Sequence, residues 1–199
     1  MRKIFLAFLI VPLLFSCSVF KTVQNVSRLK YKIQSSNDYR IANVTISDKR
    51  TLKDFTSVEL LKLTAGIAKG SLPLTFNLNI EAKNPNDGTG GYPRTDINIV
   101  SFPWRLFINE KETVTGNITD AVFVPGQGES VIIPLKVEFD IAKSFKDKSL
   151  DDILALLLQI GGVRGSTSNL KLMAQPVLGT PVGNIRYPDE ITIVDKTFN

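Results

Sequence analysis

The run Leu74-Thr75-Phe76-Asn77-Leu78-Asn79-Ile80-Glu81-Ala82-Lys83 decides the fold of this chain. Apolar residues occupy every second position from Leu74 to Ala82, and polar residues stand between them. Because a strand points successive side chains to opposite faces of a sheet, this alternation predicts a strand with one buried face. Asn84-Pro85-Asn86 follows at once, and proline cannot donate a hydrogen bond to a neighbouring strand. We therefore expect the strand to end at this motif.

The rest of the chain after residue 28 also has a mainly β pattern. Further strands are expected over Leu29–Ile33, Tyr39–Ile46, Asp96–Ile108, Thr113–Val124 and Val131–Ile141 and in a tail from Leu170, with turns at Asn37-Asp38, Asn109–Glu112 and Pro125–Gly128. Pro134 within one run indicates an edge strand or a bulge. Since the strands follow one another and do not alternate with helices, the sequence predicts an antiparallel β-sandwich and not a parallel sheet.

Two short helices are expected among the strands. The first begins at Thr56 or Ser57 as its cap and turns an apolar stripe toward the core, formed by Leu60, Leu61, Leu63 and Ile67. The second runs over Ser149–Ile160, with Asp151 and Asp152 in the first turn, where the helix dipole favours acids. It is apolar on most sides, so either the sheet or a partner must cover it.

The N-terminal segment predicts a lipid anchor. Arg2 and Lys3 precede an apolar run, Ile4–Phe15, which has the length of the hydrophobic region of a signal peptide and is too short for a membrane span. The run ends in Leu14-Phe15-Ser16-Cys17, which resembles the lipobox of bacterial lipoproteins. The resemblance implies cleavage between Ser16 and Cys17 and acylation of the Cys17 thiol, with palmitate for example. The alternative is an ordinary secretory signal followed by a chance cysteine.

Three segments follow from this interpretation. Residues 1–16 form a lipoprotein signal peptide, residues 17–27 a lipidated tether, and residues 28–199 one domain. The tether has no acidic residue just after Cys17, which favours an anchor in the cell envelope, at the outer membrane and facing the periplasm. Cys17 is the only cysteine, so an intramolecular disulfide is excluded and core packing must hold the domain together.

Composition lowers the expectation of catalysis. The chain has no histidine, the commonest general base and metal ligand, and its one thiol is acylated if the lipobox is used. We therefore expect no enzyme, no metal and no cofactor. The formal charge of +5 comes from cations interspersed with acids, so nucleic acid is not an expected partner.

Four local patterns have a functional and a structural interpretation. Asp151-Asp152 could ligate a metal, but helix capping explains both acids. Gly88-Thr89-Gly90-Gly91 lacks the lysine and helix of a phosphate loop. Gly161-Gly162-Val163-Arg164-Gly165 follows a helix, where an anion site would precede one. Trp104 could stack on a ligand, but it shares a face with apolar neighbours and is interpreted as core.

The strand Leu74–Lys83 closing on Asn84-Pro85-Asn86 resembles the late-embryogenesis-abundant (LEA) type 2 family, also called the water-stress and hypersensitive-response domain. The strand order that follows is similar over roughly residues 28 to 195. The resemblance implies an immunoglobulin- or fibronectin-III-like β-sandwich with one or two short helices, a stress-associated role, and bacterial lipoprotein versions. Asn84, Pro85 and Asn86 are interpreted as structural residues that end the strand and lock the corner, with ligand binding as the alternative.

Three functions remain open at this point. The first is a non-catalytic, lipid-anchored envelope protein that protects, or binds, another envelope component. The second is a periplasmic carrier of lipid or another apolar ligand, since an apolar helix could lift from the sandwich. The third is an accessory subunit of an envelope or adhesin assembly, which edge strands could join. The expected partners are the membrane, through the N-terminal lipid, and an envelope protein or a lipid.

Overall fold

The computed structural model describes residues 28–149, 152–153, 155–156, 170–180 and 183–193. Ser16 and Cys17, the signal peptide and the tether lie outside these residues, as do Asp151, most of the helix expected over Ser149–Ile160, and the glycine-rich segment 161–165.

The described residues form twelve strands, two α-helices and one short 3₁₀ helix, and residues 152–153 and 155–156 are also helical. The strands are β1 Lys30–Ile41, β2 Val44–Thr45, β3 Pro73–Lys83, β4 Ile97–Ser101, β5 Trp104–Ile108, β6 Lys111–Gly116, β7 Val122–Val124, β8 Ser130–Asp140, β9 Leu170–Ala174, β10 Val177–Thr180, β11 Gly183–Arg186 and β12 Ile191–Ile193. The 3₁₀ helix is Leu52–Asp54, and the α-helices are α1 Ser57–Ala68 and α2 Ile141–Ser144.

The first sheet has the strand order β2-β1-β3-β8 and is antiparallel throughout. β3 lies in its middle, and its side chains alternate between buried and half-buried along its whole length after Pro73. β8 pairs with β3 without a register shift, from Pro73↔Asp140 to Lys83↔Ser130. In the described part of the sheet β8 is the outer strand, so the edge position expected from Pro134 is confirmed.

The other strands form two four-stranded ladders, β11-β10-β4-β7 and β12-β9-β5-β6. Each strand of one ladder continues directly into the matching strand of the other: β4 into β5, β6 into β7, β9 into β10, and β11 into β12. The two ladders therefore make one antiparallel layer with a crease across it, which faces the first sheet. The mainly β sandwich with short helices predicted from the sequence is confirmed.

The crease follows from proline and from two side-chain amides. Pro103 and Pro176 interrupt neighbouring strands at the same level, and the Gln175 N–H donates to Pro103 O at 3.0 Å. Asn117 Oδ1 accepts from the Phe102 N–H at 2.6 Å. Gln175 Nε2 donates to Tyr187 O at 2.8 Å. The amides thus satisfy backbone groups that the broken ladders leave open.

The helices lie at one end of the sandwich. α1 is capped at Thr56, whose Oγ1 accepts from the Glu59 N–H at 3.3 Å while Glu59 Oε2 accepts from the Thr56 N–H at 2.7 Å. This capping box confirms the predicted start of the helix. The predicted stripe is partly wrong, because Leu63 is buried whereas Leu61 is 69% exposed.

Several strand boundaries differ from the sequence prediction. Tyr39–Ile46 is not one strand, because β1 ends at Ile41 and Ala42 and Asn43 form a turn before β2. Asp96–Ile108 is also broken, at the crease between β4 and β5. Asn37-Asp38 does not separate two strands, since β1 continues through a register shift between Asn37 and Arg40, where Asp38 has φ 57°. The run Thr113–Val124 is broken between β6 and β7 at the crease. Ile141 starts α2 and does not end β8, because Asp140 caps that helix by accepting from the Lys143 N–H.

Candidate functional site at the corner where the chain enters the sandwich

The described chain begins at the sandwich end opposite to α1. Lys30 of β1 pairs with Lys83, the last residue of β3, and Asn84-Pro85-Asn86 follows there. We call this end the corner end, and we call the opposite end, which carries α1 and α2, the helix end. The tether expected to link Cys17 to the domain therefore joins at the corner end.

Asn84 connects the two layers of the sandwich. Its side chain is fully buried, and Nδ2 donates to Thr95 O at 2.8 Å and to Val124 O at 3.1 Å. Thr95 precedes β4 and Val124 ends β7, so one amide at the end of β3 holds two strands of the creased layer. Oδ1 of the same side chain accepts from the Asn86 N–H at 3.1 Å, which makes a local Asx turn.

Asn86 ties the first described residues to this corner. Its side chain is also fully buried, Nδ2 donates to Asn84 Oδ1 at 3.0 Å, and Oδ1 accepts from Arg28 Nη1 at 2.9 Å. The Arg28 guanidinium also lies over the ring of Tyr92, 3.6 Å from its centroid. These contacts favour the structural interpretation of the motif, because its two amides are engaged with groups of this chain.

Gly126 is required by the close approach of two backbones. A Cβ atom at this position would lie 2.6 Å from Asn86 O and 2.7 Å from Thr95 O. The Gly126 N–H donates to Asp96 Oδ1 at 2.8 Å, which fixes the turn after β7 against the turn before β4. The corner is therefore a packed polar junction built from the β3–β4 loop, the β7–β8 loop and the described residues before β1.

A glycine-rich loop projects beyond the junction. Gly88, Gly90 and Gly91 have φ of 95°, 65° and 81°, and a Cβ at Gly90 or Gly91 would meet nothing within 4 Å. Asp87 Oδ1 accepts from the Thr89 hydroxyl at 2.6 Å and from its N–H at 2.9 Å, and these bonds lower the pKa of the Asp87 carboxyl. The segment between Asn86 and Asp96, which is longer than a tight hairpin needs, is thus an exposed loop at the corner end.

The two other sequence candidates within the described residues have structural contacts. Trp104 is 4% exposed and lies against Gly116 of the neighbouring strand, where an added Cβ would be 2.3 Å from its ring. The Asp152 N–H donates to Ser149 Oγ at 3.2 Å, and the Ser149 hydroxyl donates to Asp152 Oδ2 at 2.7 Å. The Ser149 bonds lower the pKa of the Asp152 carboxyl, as helix capping requires.

Three interior tyrosines have raised pKa values, and burial is the main cause for each. Burial raises the pKa of the Tyr31 hydroxyl, and the Tyr187 hydroxyl nearby raises it further. Burial also raises the pKa of the Tyr187 hydroxyl, and it raises that of Tyr39 to about 12. Tyr39 stacks on Phe76 with 4.7 Å between ring centroids, and Tyr31 contacts Phe102 at 5.6 Å. These phenols are neutral parts of the core at physiological pH.

The described residues also bear on other kinds of site. Within the described ranges no three acids or cysteines come together in a way that could hold a metal. No helix described there is long and apolar enough to cross a membrane. An open recess at the helix end is lined by Asn109, Lys111, Phe145, Asp147 and Lys148.

Sequence reasoning missed the partners of the motif. The motif's partners Arg28 and Gly126 are distant in sequence, and Tyr92 lies across a loop from it. No local pattern marks Arg28 or Tyr92. The one available signal was Gly126 itself, since it stands between Pro125 and Gln127 in a predicted turn.

Comparison with known proteins gives no family. No family model matches the chain, and no curated protein matches it. Among solved structures, the chain is similar to a protein from Archaeoglobus fulgidus at 10% identity, with a TM-score of 0.31, over 62% of this chain and 87% of that one. It is also similar to the solution structure of a candidate late embryogenesis abundant (LEA) protein at 15% identity, with a TM-score of 0.37, over 96% of this chain and 86% of that one. At these scores neither likeness carries an argument, so the LEA type 2 assignment stays a prediction from Asn84-Pro85-Asn86 and the strand order.

Proposed function

We propose that this chain is a non-catalytic protein of the cell envelope, held at a membrane by an acylated Cys17, whose β-sandwich protects or binds another envelope component. The observation that carries the proposal is the sequence Leu14-Phe15-Ser16-Cys17 at the end of the apolar run, with the chain's only cysteine at the position where a lipobox needs it. A single acylated residue with more than one acyl chain gives stable anchoring.

The attachment of the domain supports this proposal. Arg28 fixes the place where the predicted tether would enter the domain, because its guanidinium bonds to buried Asn86 and covers Tyr92 shortly before β1. The stress-protective role rests on the family resemblance alone. The carrier and accessory-subunit hypotheses stay predictions.

Replacement of Cys17 by alanine tests the anchor. We expect wild-type protein in the membrane fraction, with an N-terminal peptide whose mass includes acyl chains. Cys17→Ala protein should be released in soluble form or remain as uncleaved precursor. Ser18→Ala is the matched control, because it changes the next residue and leaves the thiol, and it should behave as wild type. Processed Cys17→Ala protein that stays with the membrane would contradict the proposal.

The same two variants test the envelope role. Cells lacking the protein should lose envelope integrity under osmotic, desiccation or detergent challenge, and Ser18→Ala should restore it whereas Cys17→Ala should not. Normal integrity of the deletion strain under all three challenges would count against a protective role.

A further inference from the structure

We propose that the outward side of α1 is a docking surface for an acidic amphipathic helix of a partner protein. The surface consists of an apolar seam, formed by Val58, Leu61, Ala65 and Ala68, and a lysine flank beside it, formed by Lys62 and Lys69. The inference rests on the proposed function, because the partner is the envelope component that the domain binds, and it goes further by stating the chemistry of that partner.

α1 is apolar on two sides, and only one of them packs on the sandwich. Leu63 is buried, and Leu60 and Ile67 pack against the core from the same side. Val58 and Leu61 lie on the opposite side of the helix and are 64% and 69% exposed. Since a surface helix turns polar residues to solvent, an apolar outward side indicates a surface that another molecule covers.

The outward apolar residues have the spacing of a coiled-coil seam. Val58, Leu61, Ala65 and Ala68 follow one another at intervals of three, four and three residues, which keeps one stripe turned toward a neighbouring helix. Ala65 is half-buried and Ala68 is exposed. Alanine at two of the four positions lets a second helix approach closely but gives a bilayer little apolar surface. A partner helix therefore fits the seam better than a membrane does.

The charge beside the seam selects an acidic partner. Lys62 and Lys69 each follow a seam residue directly and are seven residues apart, so they lie on the same flank. Both are exposed, and neither forms an ion pair with another described residue. The other flank has the neutral side chains of Ser57 and Thr64. Carboxylates on a partner helix would therefore meet ammonium groups that no described acid neutralises.

Acids near α1 reduce this positive charge but do not cancel it. Glu59 remains ionised, and its Oε2 lies 3.3 Å from Lys49 Nζ. Asp54 also remains ionised, and its Oδ2 accepts from the N–H groups of Arg50 and Thr51. A positive excess remains from residue 48 to residue 69, where five cations stand against three acids: Lys49, Arg50, Lys53, Lys62 and Lys69 against Asp48, Asp54 and Glu59.

A second copy of this chain is a poor occupant of the seam. If two α1 helices packed antiparallel, their lysine flanks would face each other and repel. In parallel packing each lysine flank would face Ser57 and Thr64, so no ion pair would form. Acids at the facing positions remove the repulsion and steer the two helices together. The charge pattern thus favours a different protein over self-association.

Two designed peptides measure this preference directly. Both are amphipathic helices with leucine at the positions that face the seam, and the flanking positions are glutamate in one and lysine in the other. Fluorescence anisotropy records the binding of each labelled peptide to the full-length lipidated protein in nanodiscs of zwitterionic phospholipid, with empty nanodiscs as the blank. We expect the glutamate peptide to bind at least about tenfold more tightly at low salt, and the difference to shrink as salt rises. Equal affinity, or no binding of either peptide, would overturn the proposal.

Substitutions separate the seam from the lysine flank. Leu61→Asp should abolish binding and the milder Leu61→Ala should weaken it several-fold, with circular dichroism confirming that each variant is folded. Lys62→Glu with Lys69→Glu should reverse the preference in favour of the lysine peptide. Lys30→Glu with Lys136→Glu is the control, because it changes the net charge equally at exposed lysines of the first sheet, and it should keep the preference. Loss of the preference in the control would show that net charge decides, which contradicts the proposal.

The same samples detect other occupants of the surface. A probe on Thr64→Cys, the one free thiol when Cys17 is acylated, would be quenched by headgroup-attached quenchers in anionic vesicles if α1 faced a membrane, and that result would overturn the proposal. Dimers that Leu61→Asp abolishes in native mass spectrometry would instead assign the seam to a second copy. Protein that shows the peptide preference without inserting into nanodiscs contradicts only the anchor, whereas inserted protein without the preference contradicts only this docking surface.

Discussion

At the scale of single residues, Asn84 contributes more than its position in a loop motif suggests. A buried amide has to satisfy its own donors and acceptor, and Asn84 does so by joining Thr95, Val124 and Asn86. An apolar side chain of similar size could fill the space but would remove the hydrogen bonds that this amide donates to two backbone carbonyls. The motif is therefore a junction between the layers as well as a strand terminator.

Asn84→Ala tests this role. The substitution removes the two hydrogen bonds that the buried amide donates and the two that its oxygen accepts, so we expect the free energy of unfolding to fall by about 2 to 4 kcal/mol. Urea unfolding followed by circular dichroism measures the change. Asn98→Ala is the matched control, since Asn98 is exposed in β4, and it should shift stability by less than about 0.5 kcal/mol. A loss at Asn84 no greater than that at Asn98 would show that the junction does not need the amide.

At the scale of elements, the sequence predicted most strands because period-two alternation depends on local burial alone. β3 and β8 were predicted this way. The cap of α1 was predicted from an equally local signal, the capping preference of Thr56 or Ser57. The sequence predictions are wrong where contacts between distant parts of the chain determine the structure. Leu61 has helical spacing, but nothing described covers its side of α1, and the crease depends on Pro103 and Pro176 meeting at one level. The corner motif was visible in the sequence, whereas its partner Arg28 was not, because only the fold brings the two together.

The contact between Gly116 of β6 and Trp104 of the neighbouring strand β5 gives a second prediction. In Gly116→Ala the added methyl would lie 2.3 Å from the Trp104 ring, and neither the strand nor the buried indole has room to move freely. We expect a loss of about 1 to 3 kcal/mol in stability and a change in the emission of Trp104, the only tryptophan. Thr115→Ala, at an exposed neighbouring position, should leave the emission unchanged. Unaltered Trp104 fluorescence in Gly116→Ala would contradict the described contact.

At the scale of the whole molecule, ionisable groups set a broad range of stable pH. The pKa values of several carboxyls are lowered by hydrogen bonds: Asp54 by the N–H groups of Arg50 and Thr51, and Glu59 by that of Thr56. Burial acts to raise the pKa of Asp140, but hydrogen bonds from the Leu72 N–H and the Ser71 hydroxyl outweigh it. Folding therefore favours the ionised form of these carboxyls, and their contribution is present above about pH 4 and lost as the pH falls through the folded-state values.

The tyrosines act in the opposite direction. Burial raises the pKa of Tyr31, Tyr39 and Tyr187, so folding favours their neutral form, and that contribution is lost as the pH rises above about 10, where unfolded tyrosine ionises. No histidine titrates between these limits. We expect the free energy of unfolding in urea to be constant between about pH 5 and 9 and to fall on both sides, with tyrosinate absorbance appearing together with alkaline unfolding. A step in stability between pH 6 and 7 would contradict this account.

The pairing of the first sheet also sets the order in which the chain can fold. β3 pairs with β1 on one side and with β8 on the other. Its pairing with β8 joins Pro73 to Asp140 and Lys83 to Ser130, so this pairing can form only after the chain has been synthesised as far as β8. Until β8 has been synthesised, the first sheet consists of β1 and β3 with the two-residue β2 at its edge, which is little more than a hairpin and is only marginally stable in water. Contacts so distant along the chain make folding slow. We therefore expect the first sheet to form only after β8 has left the ribosome, so that its folding follows the synthesis of the chain up to Asp140.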